Sequence, residues 1–127
     1  MGNGTSIGRV RGLGSAHSGS HHWLVIRYTA IGSFLLTLWF AISILMLPDL
    51  SHASVREWLV QPVPATALAL FVLINIWHAR LGIQVVIEDY VHEEANKFAS
   101  IAALNLVTFA AAAFGLFCVI RLALGGA

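Results

Sequence analysis

Three long apolar runs, set apart by short polar stretches, dominate the chain. The first extends from about Trp23 to Leu47 and carries a single charge, Arg27, in its first turn. The second extends from about Ala65 to Ile87. It is free of charge as far as Trp77 and then turns polar at His78, Arg80 and Gln84. The third, from Phe98 to Ile120, has no charge at all. A helix needs about 20 apolar residues to cross the hydrocarbon of a bilayer, and each run is long enough. Each is expected to be helical, because lipid offers no partner to an open backbone N–H or C=O. Pro48-Asp49 ends the first run, and Pro62 and Pro64 precede the second, where a fixed φ and a missing N–H suit a boundary. An acid-rich connection, Glu88 to Lys97, leads into the third. The expected fold is all-α and integral to the membrane, with three transmembrane helices running up-down-up over residues 23–47, 65–87 and 98–120. Residues 23–122 form one membrane domain behind a polar Gly/Ser/His-rich segment, 1–22.

Composition agrees with this pattern. Of 127 residues, 58% are hydrophobic and 10% charged, against about 25% charged in an ordinary soluble domain. A chain this short cannot hide so much apolar surface in one core. A net charge of +1 gives no electrostatic case for nucleic acid. The single cysteine, Cys118, has no intrachain partner and reads as a small packed hydrophobe. No apolar stretch follows Arg9 and Arg11 before Trp23, and the first run is too long for the core of a secretory signal, so it is expected to be retained. Gly8, Gly12 and Gly14 do not follow a strand, which argues against a nucleotide loop. Arg9, Arg11, Arg27 and Lys97 flank one side of the membrane, Arg56 and Arg121 the other. That bias favours a cytoplasmic N-terminus and an outer C-terminus, with Asp89 and Tyr90 at the cytoplasmic face.

A titratable side chain inside a span is by default a functional hypothesis. Two places break the apolar rule: Arg27, and the stretch Trp77-His78-Ala79-Arg80-Leu81-Gly82 that runs on to Glu88-Asp89-Tyr90. On a helix His78, Gly82, Val85 and Asp89 share one stripe. A neutral imidazole is a good axial ligand for haem iron, and Gly82 would let a flat ring lie against the helix. The same stripe fits a more ordinary arrangement, in which His78 bonds to a neighbouring helix and Gly82 is a packing notch. Tyr90 combines a hydroxyl donor with a ring suited to an apolar ligand, and Asp89 could orient it. Equally, tyrosine often marks a membrane interface. Arg80 points about half a turn from the His78 stripe, and Glu88, a partner chain or a cofactor carboxylate could face it. Arg27 could snorkel to the headgroups or clamp a carboxylate. His17, His21 and His22 lack the acid or cysteine that would complete a metal set and read as a solvated tail. His52 and His92 read as interface residues in connections.

The segment His78-Ala79-Arg80-Leu81-Gly82, followed after six residues by Asp89-Tyr90-Val91, resembles the signature of the small hydrophobic membrane-anchor subunit of succinate dehydrogenase, respiratory complex II. The stretch Leu24-Val25-Ile26-Arg27-Tyr28-Thr29-Ala30-Ile31 resembles a second element of that family, and the likeness extends over about residues 13–122. The resemblance implies a non-catalytic chain in a heteromeric helix bundle of the inner membrane, where it docks the flavoprotein and iron–sulfur subunits and shares haem b with a larger cytochrome b anchor subunit. It implies that His78 is a haem b axial ligand, with Gly82 packing against the ring and the second ligand supplied by the larger chain. Tyr90, supported by Asp89, would contact ubiquinone, and Arg27 would lie near the haem propionates and the quinone pocket. The larger anchor's own His-Arg-Pro and Ser-Gly elements are absent. Arg80 and Glu88 are charges that the motif does not require. Two rival classes are a self-contained b-type cytochrome of another quinone oxidoreductase such as fumarate reductase, which would need a homodimer because only His78 is mid-membrane, and a non-redox transport or helper protein using Arg80, Glu88 and Asp89 as a polar path.

Overall fold

The computed structural model describes residues 19–125. The segment ahead of Gly19, with Arg9, Arg11, His17 and the early glycines, lies outside the described residues. Among the described residues four helices follow one another: α1 Gly19–Leu45, α2 His52–Leu59, α3 Pro62–Tyr90 and α4 Glu94–Ala123. Three of them, α1, α3 and α4, are long and apolar enough to cross a membrane. The architecture is thus all-α with three transmembrane candidates, as the hydropathy pattern implies.

The helix ends differ from those expected. Helix α1 begins at Gly19, earlier than Trp23, and stops at Leu45. Pro62 and Pro64 form the first turn of α3, where a missing N–H has no intrahelical partner to lose. Helix α3 continues through Tyr90, so Asp89 and Tyr90 occupy its last turn and not a connection. The link to α4 shrinks to residues 91–93. Apolar content stops at the edge of the lipid, whereas backbone hydrogen bonding does not. Gln84 and Glu88 are good helix formers and carry the spiral outward.

Helix α2, not foreseen in the first connection, has a clear local cause. Ser51 is its N-cap, in an extended conformation (φ −64°, ψ 152°), and its hydroxyl accepts the Ser54 N–H at 3.3 Å. His52 therefore opens a helix. Trp58 of α2 stacks on Trp39 with ring centroids 5.9 Å apart and meets Phe40 edge-on at 5.8 Å. Phe40 in turn meets Phe71 of α3 at 5.4 Å. Arg56 Nη2 donates to Gly125 O beyond α4 at 3.0 Å. Helix α2 thus ties the three long helices together at one end.

Helix α3 is central. Thr29, Ser33 and Phe40 of α1 meet His78, Asn75 and Phe71 of α3, and a Cβ placed on Gly32 would stand 3.3 Å from Ile74 Cδ1. Numbers rise along α1 as they fall along α3, so the two helices are antiparallel. On the opposite side, Asn105 and Gly115 of α4 meet Arg80 and Val72 of α3, again antiparallel. At about 100° per residue, the positions touching α1 (71, 74, 75, 78) and those touching α4 (72, 80) fall on opposite flanks of α3. The outer helices pack on α3 far more than on each other, which makes a row of three. Such a row has little interior: among the described residues only Pro64, Leu81 and Val119 are buried. Phe34, Phe98, Phe109 and Phe114 are all exposed. These faces are stable only against lipid or further apolar helices.

Candidate functional site

Four of the polar residues that the apolar spans tolerate, Thr29, Ser33, Asn75 and His78, meet on the α1–α3 seam. His78 is half-buried, and its Nδ1 lies 2.9 Å from Thr29 Oγ1. The same hydroxyl lies 2.9 Å from Val25 O and 3.0 Å from Ile26 O, one turn back on its own helix. One turn along α3, Ser33 donates to Asn75 Oδ1 at 2.7 Å, while Asn75 Nδ2 donates to Phe71 O at 2.8 Å. The Arg27-x-Thr29-Ala30 stretch and the His78-to-Gly82 stretch are therefore joined by a direct hydrogen bond. Thr29 was not singled out in the sequence for a role of its own. The available signal was a small hydroxyl residue inside a run otherwise meant for lipid.

Beyond His78, α1 leans to one flank of α3. Gly19, His21, His22 and Val25 face Trp77, Leu81, Gln84 and Glu88 across a groove of about 390 Å³. The other flank, bearing Gly82, is left open: a Cβ on Gly82 would meet nothing within 4 Å. Gly82 is therefore not a notch for any of the described helices. The hydrogen bond from His78 to a neighbouring helix is present, but it engages one ring nitrogen only. His78 Nε2 has no hydrogen-bond partner among the described residues. An imidazole held by Nδ1 with Nε2 unengaged can offer a single ligand to a metal. No cluster of three or more histidine, cysteine or acidic side chains suited to a metal occurs among the described residues.

The remaining candidates are spread along the two helices. Arg27 is exposed, with its guanidinium 4.2 Å over the Trp23 ring. Arg80 does not pair with Glu88, which lies about 12 Å further along the axis. Its Nε donates to Asn105 Oδ1 at 2.8 Å and its guanidinium sits 5.2 Å from the Trp77 ring centroid, while Glu88 accepts from Gln84 Nε2 at 2.8 Å. Asp89 and Tyr90 are both exposed in the last turn of α3. Neither the Asp89 carboxylate nor the Tyr90 hydroxyl has a hydrogen-bond partner among the described residues. Tyr90 stands about 18 Å from His78 along one rigid helix.

Residues 1–113 match the family described as succinate dehydrogenase/fumarate reductase transmembrane subunit. Among curated proteins, the chain is 42% identical over 86 residues to a succinate dehydrogenase hydrophobic membrane anchor subunit of Rickettsia bellii, covering 67% of this chain and 68% of that one. The counterpart in Rickettsia conorii is 37% identical over 115 residues, 85% of this chain and 91% of its own length. That of Paracoccus denitrificans is 31% identical over 116 residues, 91% and 89% of the two chains. No solved structure matches. The chain belongs to the family of succinate dehydrogenase/fumarate reductase transmembrane subunits. Within that family it stands with the hydrophobic membrane anchor subunits of succinate dehydrogenase.

Proposed function

We propose that this anchor subunit binds haem b through His78 Nε2 and completes a ubiquinone-reducing pocket at the Tyr90 end of α3. The observation that carries the first half is the pairing of an unengaged Nε2 with the open flank at Gly82. Haem b, when bound, supplies a one-electron carrier within the bilayer. His78 would hold the haem iron from this chain, and the larger cytochrome b anchor subunit would supply a second ligand. The exposed flank of the helix row is the surface that partner would cover. Arg27, exposed near the same end of α1, is a cation available to propionates or to the quinone pocket.

At the end of α3, Tyr90 presents a hydroxyl donor and Asp89 an acid, both unpaired among the described residues. Together they suit a quinone carbonyl that gains basicity as it is reduced. The iron–sulfur and flavoprotein subunits dock at this end, so that electrons arrive beside Tyr90. The Lys/Arg bias supports placing it at the cytoplasmic face of the inner membrane, with the N-terminus inside and the C-terminus in the periplasm. A periplasmic reporter active at the N-terminus would reverse that topology. The test of the haem assignment is His78→Ala in the intact complex. The expected result is an altered haem b spectrum and midpoint potential, and an unaltered pair refutes the ligand.

A further inference from the structure

We infer that Thr29 is the positioning residue that fixes the tautomer of His78, holding the ring proton on Nδ1 so that Nε2 is a bare lone pair for a metal. The inference rests on the ligand assignment proposed above and extends it to a residue on another helix. Its basis is a count of protons. The Thr29 hydroxyl has one hydrogen and three acceptors within reach: Val25 O at 2.9 Å, Ile26 O at 3.0 Å and His78 Nδ1 at 2.9 Å. If it donated to Nδ1, the ring proton would sit on Nε2, which has no acceptor among the described residues, in an apolar span where an unpaired donor is strongly disfavoured. If it donates back to the carbonyls of its own helix, a habit of threonine in apolar helices, its oxygen is free to accept from Nδ1–H. Every proton then has an acceptor. The single atom left over is the Nε2 lone pair, the group a haem iron requires.

The arrangement also orients the ring, because Thr29 Oγ1 is held by two backbone carbonyls of α1 and has little freedom to follow a swinging imidazole. A ligand histidine whose second nitrogen donates a hydrogen bond is more basic and better fixed. The donation raises electron density on the ring and favours ferric over ferrous iron, which lowers the haem midpoint.

The test is a redox titration of haem b in the intact succinate dehydrogenase complex, with haem content measured alongside. Thr29→Val preserves shape and removes the hydroxyl; Thr29→Ala removes it with less bulk; Thr29→Ser keeps it. The expected result is a midpoint raised in the Val and Ala variants and unchanged in the Ser variant. A tenfold change in the ferric-to-ferrous binding ratio corresponds to about 59 mV for one electron. A wild-type midpoint in Thr29→Val or Thr29→Ala, or a Ser variant shifted as far as they are, overturns the inference. His78→Ala separates the two levels. If it alters the haem spectrum while the Thr29 variants titrate as wild type, the ligand stands and the role of Thr29 falls. If it too changes nothing, the ligand assignment fails and the inference with it.

Discussion

Ser33 donates its hydroxyl to Asn75 Oδ1 at 2.7 Å, and Asn75 passes the engagement on to Phe71 O, so a polar clasp closes the α1–α3 seam between two apolar helices. Hydrogen bonds of this kind between membrane helices contribute about 0.6 kcal/mol on average and up to about 1.7. A double-mutant cycle with Ser33→Ala and Asn75→Leu, read as the stability of the complex in detergent, should return a coupling in that range. Additive effects would mean that the clasp carries no energy of its own.

The α3–α4 seam depends on a missing side chain. A Cβ on Gly115 would come 2.6 Å from Val72 Cγ1, and valine has little rotamer freedom on a helix with which to retreat. Gly115→Ala should therefore destabilise the seam by about 1–3 kcal/mol, the usual effect of overpacking. Adding Val72→Ala should restore most of it. Thermal inactivation of the two variants decides the matter.

Gly82 predicts the opposite behaviour. No described residue stands within 4 Å of a Cβ there, so Gly82→Leu should leave the packing of α1, α3 and α4 intact. In the complex the same leucine would occupy the space proposed for the haem. The expected outcome is a normal yield of assembled complex with less haem b per flavin. Full haem content in Gly82→Leu would place the haem elsewhere.

Tyr90→Phe keeps the exposed ring and removes only the hydroxyl. Losing one donor aimed at a developing oxyanion lowers rate by about 10²–10³. Ubiquinone reduction by succinate should fall in that range, while succinate oxidation by an artificial acceptor that bypasses the membrane site stays normal. Wild-type quinone turnover would reduce Tyr90 to an interface anchor.

Asp49, in the turn before α2, is held below the usual carboxylate range by the Ser51 hydroxyl, then by the Ser51 N–H and the Ser54 hydroxyl. The N–H contact measures 2.8 Å. A carboxyl depressed in the folded state stabilises above its unfolded value and loses that contribution as pH falls through its folded value. NMR titration should find a midpoint below the usual 3.8, and Ser51→Ala should move it up.

The sequence revealed the three spans because lipid imposes a length that composition can satisfy in only one way. It did not reveal their ends, since Gly19 to His22 and Glu88 to Tyr90 are polar yet helical. Helix α2 was legible in hindsight from Ser51 ahead of Val55, Trp58 and Leu59, a cap followed by apolar residues at helical spacing. His78, Gly82, Asp89 and Tyr90 stood out by chemistry. Their surroundings did not, because a helix apolar on every side carries no stripe that says which flank meets its neighbour. The link from Thr29 to His78, and the open flank at Gly82, depend on how α1 leans across α3, and no one-dimensional pattern records that lean.

A row of three helices has seams but little interior, and this affects how its mutations can be studied. A substitution at a seam, such as Gly115, registers within the subunit alone. A substitution on a face, such as Gly82, is silent until the neighbouring subunit is in place. The isolated chain is thus a partial witness to its own defects, and variants of the faces must be scored in the assembled enzyme.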